Sequence, residues 1–241
     1  MHGGLSSQLV QGTGLDPKLL PILKNYIADI ETIEPHRDLA LTGDQTSCVH
    51  FLLRGSTVRY LTDSRGCRQI TGVGLCGEFL DLDSLQSTNR SYGISSLEQT
   101  QVGKIPKDVM IKILRDHPEM MGAFWSITLR DSTYLERWVF RLGLLRAEQR
   151  IAHFLCEVIE RLSLRGKYDG MRIAVPFRQV EYAEACGITA VHANRCFRNL
   201  QSRELVAIEA SQNVCVRSEA GLRELGQFKP LDQTTTSRPF G

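Results

Sequence analysis

The spacing of apolar residues changes character twice along the chain. Asp16-Pro17 gives a helix-start signal, and Leu19, Leu20, Leu23, Tyr26 and Ile27 follow at helical spacing, which predicts a short first helix. From Ile33 to Ile105 the pattern becomes short β-branched and aromatic runs broken by turn residues. Val49 to Leu53 and Thr57 to Leu61 are the clearest, and Asp63-Ser64-Arg65-Gly66 reads as a hairpin turn leading into Cys67 to Ile70. Several short strands at regular spacing predict a small β-sandwich or jelly roll.

Helical spacing returns after Pro106. Val109, Met110, Ile113 and Leu114 predict one helix, and a longer one starts near His117-Pro118. In the longer helix Phe124, Ile127, Tyr134, Trp138 and Leu145 form a seam at spacings of three and four, interrupted by Asp131 and Arg141. Such a seam favours a pairing helix, the alternative being an ordinary amphipathic helix packed on its own domain. Arg146 to Leu164 predicts a further helix with Ile151, Phe154, Leu155, Val158 and Leu162 buried. A Gly166 to Gly170 loop follows, then a strand-like Met171 to Val175, two short helices flanking Gly187, and two strands at Leu205 to Ile208 and Val214 to Val216. The expected organisation is α+β: a tail at 1–14, a β-rich domain at 15–115, a dimerisation helix at 116–145, a helical domain at 146–225 and a second tail at 226–241. Both tails are polar and are expected to be disordered.

The most specific chemistry lies in 178–200. Ala183 and Gly187 are small where two helices meet, Gly187 can take the positive φ of a tight interhelix turn, and Thr189 can cap the second helix. This is helix-turn-helix spacing. On the second helix Ala190, His192, Asn194, Arg195, Arg198 and Asn199 are not needed for a core, and Arg and Asn suit guanine and adenine edges. Gly187 to Arg203 holds three arginines and no acidic residue. The strand pair beyond would form a wing, with Arg217 near phosphate.

Charge enters the picture only locally. The 241-residue chain carries a net +2; residues 1–145 contribute 15 − 16 = −1 and residues 146–241 contribute 14 − 11 = +3. No run of about 18 apolar residues occurs and no basic-then-apolar segment opens the chain, so a cytoplasmic protein without membrane contact is expected. Seven cysteines without a C-x-x-C pair argue against a disulfide framework and a zinc knuckle. Cys186 and Cys196 bracket the turn and second helix, where oxidation could obstruct docking.

On Arg150-Ile151-Ala152-His153-Phe154-Leu155-Cys156-Glu157 and on Pro176 through Val206, within a likeness spanning 36–225, the chain resembles the Crp/Fnr superfamily of bacterial regulators. The resemblance implies a double-stranded β-helix sensor domain, a long dimer helix and a winged helix-turn-helix. It also implies a homodimer on a palindromic operator in double-stranded DNA, with RNA polymerase as a further partner. Arg178 and Gln179 would touch phosphate, and Ala190, Val191 and Arg195 take the places used for base readout. Phe177 departs from the Ser or Thr that commonly begins the first motif helix.

In members that bind cyclic AMP, a Glu meets ribose and an Arg-Ser pair meets the cyclic phosphate. Here Gly77-Glu78-Phe79 resembles the turn before that Glu, the ribose position falls on Leu82, and Arg90-Ser91 resembles the phosphate pair. Glu78, Arg90 and Ser91 are therefore the candidate effector contacts. Loss of the ribose partner removes a charged hydrogen bond of about 1.5–3 kcal/mol, so cyclic AMP is not expected to bind. The alternative function is a cyclic-nucleotide-responsive regulatory module. No cofactor is expected: no cysteine precedes Cys48 to hold an iron–sulfur cluster, His50 and Cys76 are isolated as haem ligands, and His153, Cys156 and Glu157 read as packing residues rather than a metal set. No phosphate loop, G-x-S-x-G or paired-His motif points to catalysis, so no enzyme is expected.

Overall fold

The computed structural model describes residues 15–171, 173, 176–209 and 214–231. They form two compact units, one of residues up to Thr62 together with Gly72–Asp131, the other of Asp63–Thr71 and residues from Ser132 onward. The expected tail at 1–14, residues 232–241 of the second tail, and Arg172, Ala174 and Val175 of the strand-like run lie outside the described residues.

In the first unit Asp16 accepts a hydrogen bond from the Lys18 N–H (2.9 Å), and a 3-10 turn at Pro17–Leu19 leads into α1 (Leu20–Tyr26). Strands β1 (Asp29–Ile33), β2 (Asp38–Ala40), β3 (Cys48–Arg54), β4 (Ser56–Thr62), β5 (Arg68–Leu75), β6 (Gly93–Ser96) and β7 (Thr100–Pro106) follow. They assemble into two sheets, ordered β1-β7-β3 and β2-β6-β4-β5. Every registered strand pair in these sheets is antiparallel: Phe51 faces Gly103 across β3 and β7, and Val58 faces Ser95 across β4 and β6.

Strand alternation sorts the core into two layers. Ile33, Leu52, Ile94 and Val102 pack together with Leu80, joining residues of both sheets. Val49, Phe51 and Ile105, from the other face of β3 and β7, pack against Leu20 and Leu23 of α1, Met110 and Ile113 of α2 (Lys107–Asp116), and Phe124 and Ile127 of α3 (Pro118–Leu144). The Asp63 turn forms as the sequence predicts, its carboxylate accepting from the Arg65 and Cys67 N–H groups at 2.9 Å each.

The second unit contains the C-terminal half of α3 and then α4 (Ala147–Ser163), α5 (Gln179–Cys186), α6 (Ala190–Ser202), β8 (Val206–Ile208), β9 (Val214–Val216) and α7 (Glu219–Leu225). Phe154, Phe177, Tyr182 and Phe197 form a chain of ring contacts with centroids 4.9–6.0 Å apart. Val206 faces Val216 in the β8–β9 hairpin, and the Val216 N–H donates to the Met171 carbonyl while the Ile173 N–H donates to that of Val214. Met171 and Ile173, the described residues of the strand-like run, bond to β9 in this way but belong to no strand.

Two expectations are corrected. The tail does not begin at 226: Gly226 lies so close to α4 that a Cβ would fall 2.5 Å from the His153 nitrogen, Phe228 is buried, and Arg137 donates to the Lys229 carbonyl. The seam of Phe124, Ile127, Tyr134, Trp138 and Leu145 is covered by the chain's own side chains, since every member is buried. Met121, Trp125, Leu129, Leu135 and Val139 form a second apolar stripe turned away from that seam, and all five are exposed, Val139 at 72%. Among the described residues no helix is long and apolar enough to cross a membrane.

Candidate nucleic-acid interface

The turn between α5 and α6 is built from three local choices. Gly187 ends α5 in the left-handed region (φ 61°, ψ 43°), where a β-carbon would be strained. The Gly187 and Ile188 N–H groups both reach back to the Ala183 carbonyl. Thr189 then caps α6, its Oγ1 accepting from the His192 N–H at 3.2 Å.

Donors from three other elements satisfy the last carbonyls of α5. Gln69 Nε2, on the β5 end of the hairpin, donates to Glu184 O at 2.6 Å. Arg141 Nη2 from α3 donates to Ala185 O at 3.2 Å, and Arg150 Nη1 from α4 to Cys186 O at 3.1 Å. Positive charge at a helix C-terminus is favourable, so these contacts fix where α5 stops and α6 starts. Arg141, which interrupts the predicted seam, is fully buried. It pairs with Glu157 (3.3 Å) beneath the Trp138 ring (4.1 Å), and Trp138 Nε1 donates to the same carboxylate at 2.9 Å.

Helix α6 buries Ala193, Cys196, Phe197 and Leu200. A period of 3.6 residues therefore places Val191, Arg195, Arg198 and Ser202 along the opposite ridge. Ala190, Val191, Asn194, Arg195, Arg198 and Asn199 are all exposed, and His192 is half-buried. Among the described residues Arg195 and Arg198 make no ion pair or hydrogen bond. The two asparagines differ: Asn194 Nδ2 donates to Gln179 Oε1 at 2.9 Å, and Asn199 Nδ2 to Glu148 on α4 at 3.2 Å, beside Arg203 on the same carboxylate.

Phe177 needs no capping group because it is core, packed on Phe154 and Tyr182. The helix starts one residue later. Arg178 is its N-cap, its N–H donates to Glu181 Oε2 at 2.6 Å, and its guanidinium Nε donates to Glu181 Oε1 at 2.8 Å. Of the expected backbone contacts, Arg178 is thus already paired and Gln179 holds Asn194. The cysteines flanking the turn are poorly placed for oxidation: burial pushes the Cys186 thiol up to about 12 and raises that of Cys196 as well.

The candidate effector residues sit in the first unit. Arg90 is buried, and its Nη1 donates to Asp81 Oδ2 at 2.7 Å. Asp81, 1% exposed, also contacts His50 Nδ1 at 2.7 Å and accepts from the His50 N–H at 2.7 Å. Burial acts to raise the Asp81 carboxyl, yet the hydrogen bonds and charge of His50 and the charge of Arg90 together hold it below its ordinary value. Glu78 spends its carboxylate on the Leu75 N–H (2.9 Å), and Ser91 faces solvent. The ring of His153 is held by the Gly226 carbonyl at 2.8 Å, and Glu157 is occupied by Trp138 and Arg141.

A family model described as the Crp-like helix-turn-helix domain matches residues 149–225. Transcriptional regulatory protein btr of Bordetella pertussis is 25% identical over 203 residues, 84% of this chain and 83% of that protein. The fumarate and nitrate reduction regulatory protein of Vibrio cholerae is 21% identical over 219 residues, 91% and 87% of the two chains. FixK2 from Bradyrhizobium japonicum superposes with a TM-score of 0.74 at 20% identity, over 82% of this chain and 96% of that one. Residues 149–225 thus carry a Crp-like helix-turn-helix domain, and over most of its length the chain is similar to Crp/Fnr-type regulators.

Two features of the chain escaped the sequence reading. The exposed α3 stripe was available, because Met121, Trp125 and Leu129 repeat at four-residue spacing, but the buried seam on the same helix masked it. Asp81 as the partner of Arg90 carried no local signal beyond a carboxylate set between Leu80 and Leu82.

Proposed function

We propose that two copies of this Crp/Fnr-type DNA-binding transcription regulator pair through α3 and set two α6 helices into the major groove of a palindromic operator. The exposed ridge of α6, with Arg195 and Arg198 unpaired among the described residues beside Val191, is the observation that carries this reading: it offers planar guanidinium forks to base edges and no carboxylate to repel phosphate. Helix-turn-helix dimers engage half-sites about one helical turn apart, so two-fold protein symmetry implies a palindrome. The pairing face is the stripe of Met121, Trp125, Leu129, Leu135 and Val139, rather than the seam containing Trp138. Arg178, Gln179, Thr189, Ala190, His192, Asn194 and Asn199 border the ridge as contacts to phosphate or groove edge. Regulation of transcription in the cytoplasm, with RNA polymerase as the further partner, is part of the same reading and is supported by the likeness to Crp/Fnr-type regulators.

The sensor domain acts without cyclic AMP on this reading. Asp81 supplies the anion that a buried arginine requires, and a cyclic phosphate would have to displace a carboxylate held by three hydrogen bonds. The alternative, a module that responds to cyclic nucleotides, requires Arg90 to be released from Asp81.

Selection of bound duplexes from a random pool by the purified protein tests the proposal. The expected product is a palindrome with half-site centres about 10 base pairs apart and affinity that falls steeply with salt. Recovery of no sequence preference would contradict it. Leu135→Glu with Val139→Glu is expected to yield monomers by sedimentation, whereas a dimer that survives both changes would exclude this stripe.

A further inference from the structure

We propose that Val191 is a specificity-determining residue that reads the C5-methyl group of a thymine lying about one or two base pairs from the guanine read by Arg195. The inference rests on the reading of α6 as a major-groove helix and assigns one of its contacts. Val191 is 82% exposed, more than any other exposed large apolar side chain among the described residues. It stands at the second position of α6, in the N-terminal part of the helix that reaches base edges in helix-turn-helix proteins.

Among the described residues nothing covers this side chain. A β-branched residue is a mediocre helix former, and an exposed one gains no burial to offset that. In the groove valine can neither donate nor accept a hydrogen bond, so the donor and acceptor pattern of a base edge is invisible to it. The thymine methyl is the apolar feature that the major groove presents. Arg195 lies four residues on, one turn along the same ridge, a rise of about 6 Å, against about 3.4 Å between base pairs. The competing readers are fewer than the sequence suggests. Asn194 and Asn199 hold Gln179 and Glu148, and α6 contains no Asp or Glu to accept from a cytosine amino group. The ridge therefore favours thymine and guanine together.

The test uses the intact protein and the duplex recovered by selection, with each thymine replaced in turn by deoxyuridine, which removes the methyl group alone. One thymine per half-site is expected to show a threefold to fivefold loss of affinity, about the effect of one buried methyl. Val191→Ala is expected to bind the thymine duplex that much more weakly and to be indifferent to deoxyuridine there, while Arg195→Ala keeps the deoxyuridine effect. Wild-type protein that prefers its duplex over a scrambled one yet ignores every deoxyuridine overturns the assignment, as does a Val191→Ala protein that still senses the methyl. Absence of any duplex preference overturns the major-groove reading itself. Loss of self-association by Val191→Ala, with methyl sensing absent, would assign the side chain to a protein contact instead.

Discussion

Arg90 and Arg195 carry the same charge in opposite settings. Arg90 is buried in the first unit against Asp81, which His50 also holds, whereas Arg195 stands on the exposed ridge of α6 with no ion pair or hydrogen bond among the described residues. Arg141 and Glu157 repeat the first arrangement beneath the helix-turn-helix. The contrast separates two uses of an arginine. A buried guanidinium with its own carboxylate is part of the fold and resists an incoming anion, because its desolvation is already balanced. An exposed and unpaired one adds little to stability and remains available to a polyanion.

Removing a carboxylate from a buried pair should do the most damage. Glu157→Ala is expected to lower the unfolding free energy by about 3–5 kcal/mol in urea titrations, because Arg141 would remain buried without its counter-charge. Arg195→Ala should stay within about 0.5 kcal/mol of the parent. Similar losses from the two variants would break the comparison. An intermediate effect is expected at the turn that presents the ridge: Thr189→Ala removes the acceptor for the His192 N–H and should cost about 1 kcal/mol. A thermal melt unchanged from the parent would show that the cap contributes nothing.

The smallest effect is a pH slope. Burial depresses the pKa of His153 below the ordinary 6.5, with the Gly226 contact opposing the shift, and among the described residues the buried ring Nε2 has no partner. The unfolded chain therefore takes up a proton near pH 6.5 while the folded chain resists it, so stability should fall as pH drops below about 6.5. Asp81 acts in a lower window. Its folded pKa is depressed below 3.8, so its contribution is intact above about pH 4 and is lost as pH falls further. Melts between pH 7.5 and 5 should show a shallower slope for His153→Phe than for the parent, and an identical slope would exclude the histidine.

How much of this was legible in the sequence depended on how local the cause was. The α5–α6 turn could be read because Gly187 and Thr189 act through their own backbone and cap geometry. The strands could be placed because alternation and the Asp63 turn are local as well. The α3 faces could not be assigned: periodicity reports that a helix has an apolar stripe, not what covers it, and α3 carries two. Arg141 looked like an interruption for the same reason, since its partner Glu157 lies on another helix. Arg90 suggested an open anion site because Asp81, nine residues earlier, reaches it only through the folded loop between β5 and β6. Phe228 was assigned to a tail because one aromatic residue among polar ones gives no pattern.

On the proposed function Arg195, exposed on α6, reads a base, while Arg178, paired with Glu181 at the start of α5, meets only backbone. Arg195→Ala and Arg178→Ala should be titrated against the selected duplex, its single-base variants and a scrambled duplex at several salt concentrations. Arg195→Ala is expected to lose about 1–3 kcal/mol on the selected duplex, with discrimination lost at one guanine and little change on scrambled DNA. Arg178→Ala should weaken all duplexes alike and by less, because Glu181 already offsets its charge. Equal losses by Arg195→Ala on selected and scrambled DNA, with a shallower salt slope, would place Arg195 on phosphate and contradict the claim.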